Sequence, residues 1–138
     1  MIRVCIFDLD GTLLNTLDDL ADAVNATLFH FGCPERTREE VRQFVGNGAE
    51  NQIRLSLPED NKEDLQQVLA TYKPYYTDHC QIKTKPYEGV LEALADLQKD
   101  FAVAIVSNKP DVATKSLAQE LFGGIPAWGE SADCQRKP

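Results

Sequence analysis

The first twelve residues constrain the fold more than any other part of the chain. Ile2 to Phe7 is rich in β-branched and aromatic residues and apolar at nearly every position, the pattern of a strand covered on both faces in a parallel sheet. Asp8-Leu9-Asp10-Gly11-Thr12 follows at once, at the carboxyl end of the strand, the edge where open parallel sheets bind ligands. Two residues of extended chain span only ~7 Å, so both carboxylates can serve one site. Crowded carboxylates repel, and either a cation or protonation of one of them relieves the repulsion. Mg²⁺ takes carboxylate oxygens together with waters and phosphate, and a neutral Asp beside a charged one is an acid/base matched to a nucleophile. A strand-to-turn junction in which Asp and Gly serve only the loop is the bland alternative.

Helical periodicity then takes over. Leu17, Leu20, Ala21, Val24, Leu28 and Phe31 recur at three- and four-residue steps, and Gly32 supplies a stop. Thr37-Arg-Glu-Glu40 has the form of a capping box at the start of a second helix. Gly46-Asn47-Gly48 breaks that helix, as a simple turn or as a loop that meets a ligand. A further helix is expected from about Gly48 to Leu57 and a longer one from about Asn61 to Cys80, kinked or split at Pro74. After Pro86 a helix marked by Val90, Leu91, Leu94 and Leu97 leads into Phe101 to Val106, a second strand of the fully buried kind ending in Ser107-Asn108. Pro110 suits the first turn of a helix that Gly123-Gly124 ends, leaving at most one short strand beyond it.

This order predicts an α/β fold: a partial Rossmann-like parallel sheet core, residues 1–15 and 84–138, with an inserted all-helical cap, residues 16–83. The junctions near Leu14–Thr16 and Lys83–Pro86 lie close together if the cap is a lid on two hinges. The 138 residues carry a net charge of −8 spread along the chain, which argues against a nucleic-acid partner. No apolar run approaches the ~20 residues of a membrane span, and the acidic start does not read as a secretory signal. Four scattered cysteines without a C-x-x-C pair read as reduced thiols, so a cytoplasmic location is expected.

Asp8-Leu-Asp10-Gly-Thr-Leu-Leu14 resembles the first motif of the haloacid-dehalogenase-like hydrolases. Ser107-Asn108 resembles their second motif, a hydroxyl and amide that hold phosphate, and Arg136-Lys137-Pro138 their third, where a lysine neutralises phosphate and nucleophile. Within the helical-cap subfamily the chain looks most like phosphoglycolate phosphatases, through Thr16-Leu-Asp-Asp-Leu-Ala-Asp22, Val41-Arg-Gln-Phe-Val-Gly-Asn-Gly48 and Val106-Ser-Asn-Lys109.

The resemblance implies that Asp8 attacks the phosphoryl group to give an aspartyl-phosphate. Asp10 protonates the leaving alkoxide and then activates water, and Lys137 completes the catalytic set. Phosphate would be held by Leu9 and Asp10 at the motif and by Ser107 and Asn108, and Mg²⁺ by the Asp8 carboxylate and the Asp10 backbone carbonyl. The implied partner is a small phosphorylated metabolite such as 2-phosphoglycolate. A phosphomutase shares the first motif. The family also has a fourth motif, aspartates downstream of the lysine, and none follows Lys137. The C-terminal strands of the core are therefore expected to be missing, leaving a chain with impaired or no turnover. The first strand then becomes an open edge through which copies could associate; a phosphate-binding or self-associating fragment without turnover is the alternative.

The remaining features read as structural. Lys109, next to Ser107-Asn108, either lines the site or, the better reading, begins a solvated helix; Cys5 is expected in the core, and Tyr72, Tyr75 and Tyr76 in the cap core or its contact with the sheet. Asp18, Asp19 and Asp22 are expected on a solvated helix face, and no ligand spacing pairs His30 with His79.

Overall fold

The computed structural model describes residues 1–130. Its elements, in chain order, are β1 (Val4–Phe7), β2 (Leu14–Asn15), α1 (Leu17–His30), α2 (Arg38–Phe44), α3 (Gly48–Ser56), α4 (Leu65–His79), β3 (Lys85–Pro86), α5 (Val90–Leu97), β4 (Ala102–Pro110), α6 (Asp111–Phe122) and β5 (Ala127–Glu130). The fold is α/β. β1, β4 and β5 form a parallel sheet in the order β1-β4-β5, and four consecutive helices, α1 to α4, separate β2 from β3.

β2 and β3 pair antiparallel, Leu14 opposite Pro86 and Asn15 opposite Lys85, so the chain leaves for the helices and returns at one place. Gly11 makes the exit turn. Its φ of 73° lies in the left-handed region that glycine enters at no steric cost, and the Leu9 carbonyl accepts N–H bonds from Thr12, Leu13 and Leu14.

Local chemistry sets the helix ends. Thr37 Oγ1 accepts from the Glu40 N–H at 3.2 Å and Glu40 Oε2 accepts from the Thr37 N–H at 2.7 Å, the expected capping box. α4 begins at Leu65 rather than near Asn61, because Asp64 caps it by accepting from the Gln66 N–H. Asn61 instead closes a local turn by accepting from the Glu63 N–H. Pro74 does not split α4. It lies on the solvent face, opposite buried Val68, Leu69, Tyr72 and Tyr76. The carbonyl it leaves without a partner, that of Ala70, is on an exposed residue and can be hydrated.

One expectation fails at β1. Its pattern predicts cover on both faces, yet Val4 and Ile6 are 52% and 65% exposed, and Val106 and Trp128, on the same face by register, are 49% and 51% exposed. The opposite face, with Val103, Ile105 and Ala127 buried, carries α5 and α6. The sheet grows in one direction from β1, and right-handed crossovers in one direction place successive helices on the same side. Cys5, on the covered face at the sheet edge, is accordingly only half-buried. Among the described residues β1 pairs only with β4, so its outer edge is open. No described helix is long and apolar enough to cross a membrane.

Candidate active site

The carboxyl ends of β1 and β4 lie side by side because the two strands pair in parallel from Val4 opposite Ala102 to Phe7 opposite Ile105. Asp8 and Asp10 leave β1, and Ser107, Asn108 and Lys109 come from the last turns of pleat in β4. All five line one cavity, roofed by Val45, Gly46, Gly48, Ala49 and Gln52 from the α2–α3 region and by Tyr72 and Tyr76 from α4. The free space is about 30 Å³, room for two or three waters at roughly 10–15 Å³ each. A wider groove of about 470 Å³ adjoins it at Asp10, walled by Thr16, Arg38, Arg42 and Tyr87 among others.

Asp10 is held from two sides. Thr16 Oγ1 donates to its Oδ1 at 2.6 Å, and Lys109 Nζ lies 3.1 Å from the same oxygen. Thr16 occupies the N-cap position of α1, but its hydroxyl makes no cap bond. Lys109 is 5% exposed. It also donates to the Tyr76 hydroxyl, and its Nζ sits 4.2 Å from the centre of the Tyr76 ring. Burial pushes the Lys109 ammonium below the ordinary lysine range while Asp10 pulls it back up. The Tyr76 and Tyr72 phenols are pushed well up, chiefly by burial and then by Asp10, and their rings stack with centroids 5.8 Å apart.

The other expected site residues fall as follows. Asp8 is exposed, and its Oδ1 accepts the Leu9 N–H at 2.8 Å. Leu9 is fully buried, so only its backbone could touch a phosphate, and that N–H is turned to Asp8. Ser107 is buried; its Oγ accepts from the Lys109 N–H at 3.1 Å, which leaves its own O–H to donate. Asn108 Nδ2 donates to the Gly46 carbonyl at 3.1 Å, so the Gly46–Gly48 loop meets the strand ends directly. Lys137, with Arg136 and Asp133, lies outside the described residues.

Two residues contradict their expected solvated positions. Lys109 does not begin a helix, because β4 runs on to Pro110 and α6 starts at Asp111. The two-residue alternation Val103, Ile105, Ser107, Lys109 puts the lysine on the buried face, and that alternation is the signal in the sequence. Asp19 is also buried. It falls on the α1 stripe with Thr16, Leu20, Ala23 and Thr27, whereas Asp18 and Asp22 stay exposed and pair with Arg38 and Lys83. Thr16 as a partner of Asp10 had no separate signal. Of the three tyrosines, Tyr72 and Tyr76 are buried and Tyr75 is on the surface.

Hard oxygen donors are what Mg²⁺ selects. The Asp8 carboxylate keeps an oxygen without a partner, and the Asp10 backbone carbonyl accepts no hydrogen bond among the described residues. The Asp10 carboxylate is turned to Thr16 and Lys109. These two donors fit an ion that keeps several waters. Among the described residues no group of three or more His, Cys, Asp or Glu side chains forms a full cage.

A parallel sheet with two aspartates at the end of its first strand and a serine at the end of the next defines a class. The profile of the haloacid dehalogenase-like hydrolases matches residues 5–121, and the chain belongs to that family. It is similar to phosphoglycolate phosphatase 1 of Pseudomonas aeruginosa, 34% identical over 99% of this chain and 53% of that protein. The phosphoglycolate phosphatase of Pseudomonas putida matches to the same extent, 34% over 99% and 53%. A crystallised candidate phosphoglycolate phosphatase from Lactobacillus delbrueckii subsp. bulgaricus superposes with a TM-score of 0.81 at 36% identity, over 99% of this chain and 67% of that one. The chain spans about half the length of the curated relatives it matches.

Proposed function

We propose that this chain carries the nucleophile and phosphate-binding part of a Mg²⁺-dependent phosphomonoester hydrolase acting on a small phosphorylated metabolite, with 2-phosphoglycolate the first to test. The observation that carries this reading is Asp10, whose carboxylate is clamped by Thr16 and Lys109 beside Asp8. Because Oδ1 already accepts from both donors, Oδ2 is the oxygen left to pass a proton to the leaving alkoxide. Asp10 is thereby fixed as acid and then as base for the attacking water. Asp8, exposed at the strand end, is the nucleophile that forms the aspartyl-phosphate. The Ser107 hydroxyl and the Asn108 amide orient the phosphate, and Lys137 adds charge. Mg²⁺, held by the Asp8 carboxylate and the Asp10 carbonyl, would neutralise charge on the transferring oxygens.

The helical segment, joined to the sheet at the β2–β3 junction, acts as a cap over the strand ends, with the groove at Asp10 leading to the site. A cytoplasmic location, with Cys5, Cys33 and Cys80 as free thiols, belongs to the same reading.

The test is calorimetric titration with Mg²⁺ and tetrafluoroaluminate, a mimic of the transferring phosphoryl group, alongside phosphate release from 2-phosphoglycolate. Metal-dependent binding that Asp8→Asn abolishes supports the reading, and equal binding by both proteins overturns it. A second reading, a self-associating unit, is favoured by the open edge of β1 and the exposed Val4, Ile6, Val106 and Trp128.

A further inference from the structure

An ammonium on a flexible four-carbon stem is a point charge with no direction of its own, so a lysine can hold a carboxylate in place only if something holds the lysine. For Lys109 that partner is Tyr76. The Tyr76 hydroxyl accepts from Lys109 Nζ, the Tyr76 ring centre lies 4.2 Å from the same nitrogen, and Nζ lies 3.1 Å from Asp10 Oδ1. Ring face and hydroxyl of one side chain thus fix the ammonium beside the aspartate. Tyr76 is itself fixed. It is 1% exposed, and its ring lies 5.8 Å from that of Tyr72 at an interplanar angle of 7°. Both tyrosines sit on the buried stripe of α4 with Val68 and Leu69, so helix packing sets the position of the hydroxyl. The contacts join three distant parts of the chain: α4, the end of β4 and the turn after β1.

Resting on the phosphatase reading above, we infer that Tyr76 is a positioning residue, whose hydroxyl fixes the Lys109 ammonium and, through it, the carboxylate of Asp10. Thr16 and Lys109 meet the same oxygen, Oδ1. An ammonium that drifts away leaves the carboxylate on the single bond from Thr16, able to turn about it. Oδ2 then loses its fixed direction, and with it the preorganisation that proton transfer needs. Tyr75, one position away on α4, provides the control, because it is at the surface and stacks on His79.

The experiment removes one oxygen. Tyr76→Phe keeps the ring, its stacking on Tyr72 and its face toward Lys109. Carboxyl resonances of ¹³C-labelled aspartate are compared in the parent, Tyr76→Phe and Tyr75→Phe at one neutral pH without metal. The Asp10 signal should move in Tyr76→Phe alone, while the Asp8 and Asp19 signals stay in place in all three. By calorimetry, Tyr76→Phe should bind tetrafluoroaluminate with Mg²⁺ about tenfold more weakly, the scale of one hydrogen bond to a charged group, and Mg²⁺ alone equally well. If Tyr76→Phe does not fold, biosynthetic 3-fluorotyrosine, which weakens the hydroxyl as an acceptor without removing it, should displace the same Asp10 signal. An Asp10 resonance that stays put, or one that Tyr75→Phe moves as far, overturns the inference and leaves the phosphatase reading intact. A parent chain that does not bind tetrafluoroaluminate with Mg²⁺ overturns that reading and the role of Tyr76 with it.

Discussion

Asp19 Oδ2 accepts both the backbone N–H and the hydroxyl of Thr84, each at 2.8 Å, in a buried contact between residues 65 positions apart. The Lys83 N–H donates to the same carboxylate at 2.9 Å. α1, the first helix after the exit strand, is thereby stapled to the segment that returns to the sheet. Asp19→Ala should strand the buried Thr84 N–H and hydroxyl and the half-buried Lys83 N–H, at a cost on the order of 3 kcal/mol. Urea unfolding checks this. Combining it with Thr84→Val should cost less than the sum of the single changes, because the second removes one of the donors left stranded. An unfolding midpoint unchanged in Asp19→Ala would contradict the staple.

Lys109 carries a pH signature. Burial lowers its pKa in the folded chain below the unfolded value of about 10.5. Between the lowered folded value and 10.5 the unfolded chain binds more protons, so stability contributed by this site rises with pH through that window. Below the window the cost of burying the ammonium is felt in full. The groups facing it are Asp10, Tyr76 and Cys80, whose thiol is pushed up by burial. Lys109→Met should remove this rise, so that the parent gains on the variant between neutral and alkaline pH in paired urea titrations. Identical pH profiles would refute it.

Gly129 sits where no side chain fits. A Cβ there would overlap the Lys109 carbonyl oxygen, and would lie 2.6 Å from Thr114 Oγ1 and 2.7 Å from the Asp111 Cα. Two of the three are backbone and cannot rotate away. Gly129→Ala should cost about 1–3 kcal/mol by overpacking, and it should also push on Lys109. Loss of stability in thermal unfolding, together with weakened binding of the phosphoryl mimic, is the expected pair of results.

Asp111 is the acid-side counterpart. The Lys115 ammonium first, and then the Gly129 N–H at 2.8 Å, hold its carboxyl below the usual range. Its stabilising contribution is present above the unfolded carboxylate pKa and fades as pH falls through the folded value. Asp111→Asn should flatten that part of the acid unfolding curve, with little change in its neutral baseline slope. An unchanged acid limb would show that the contact contributes nothing.

The exposed sheet face predicts association. Sedimentation should show reversible self-association of the parent chain, reduced by Ile6→Lys on the open β1 edge. Trp128 emission, red-shifted when solvated, should move to the blue as concentration rises. A concentration-independent monomer would argue for a face that stays wet.

The sequence and the structure part company where long-range geometry decides. The strand before Asp8 and the Thr37–Glu40 capping box rest on local pattern, and local pattern is enough for them. That α4 runs unsplit through Pro74 depends on which face of the helix meets water. Lys109 was misread because Pro110 reads as a helix start, whereas the pairing of β4 with β5 carries the strand through it. Asp19 was misread by its charge. Its place on the α1 stripe was visible, but its partners Lys83 and Thr84 lie beyond three further helices. The cover missing from β1 depends on the direction in which the sheet grows, which no single strand encodes.

The two-residue ladder of β2 and β3 has a consequence for how such a chain can change over evolutionary time. Leu14 and Pro86 stand opposite each other, one strand spacing of ~4.8 Å apart. Whatever is threaded between them is anchored at a single doorway in the floor. Insertions, deletions or wholesale exchange of the intervening helices leave β1 and α5 where they are. Selection can therefore rebuild the roof, and the ligand it admits, while Asp8 stays at the end of β1 and Asp10 keeps Lys109 of β4 as its partner.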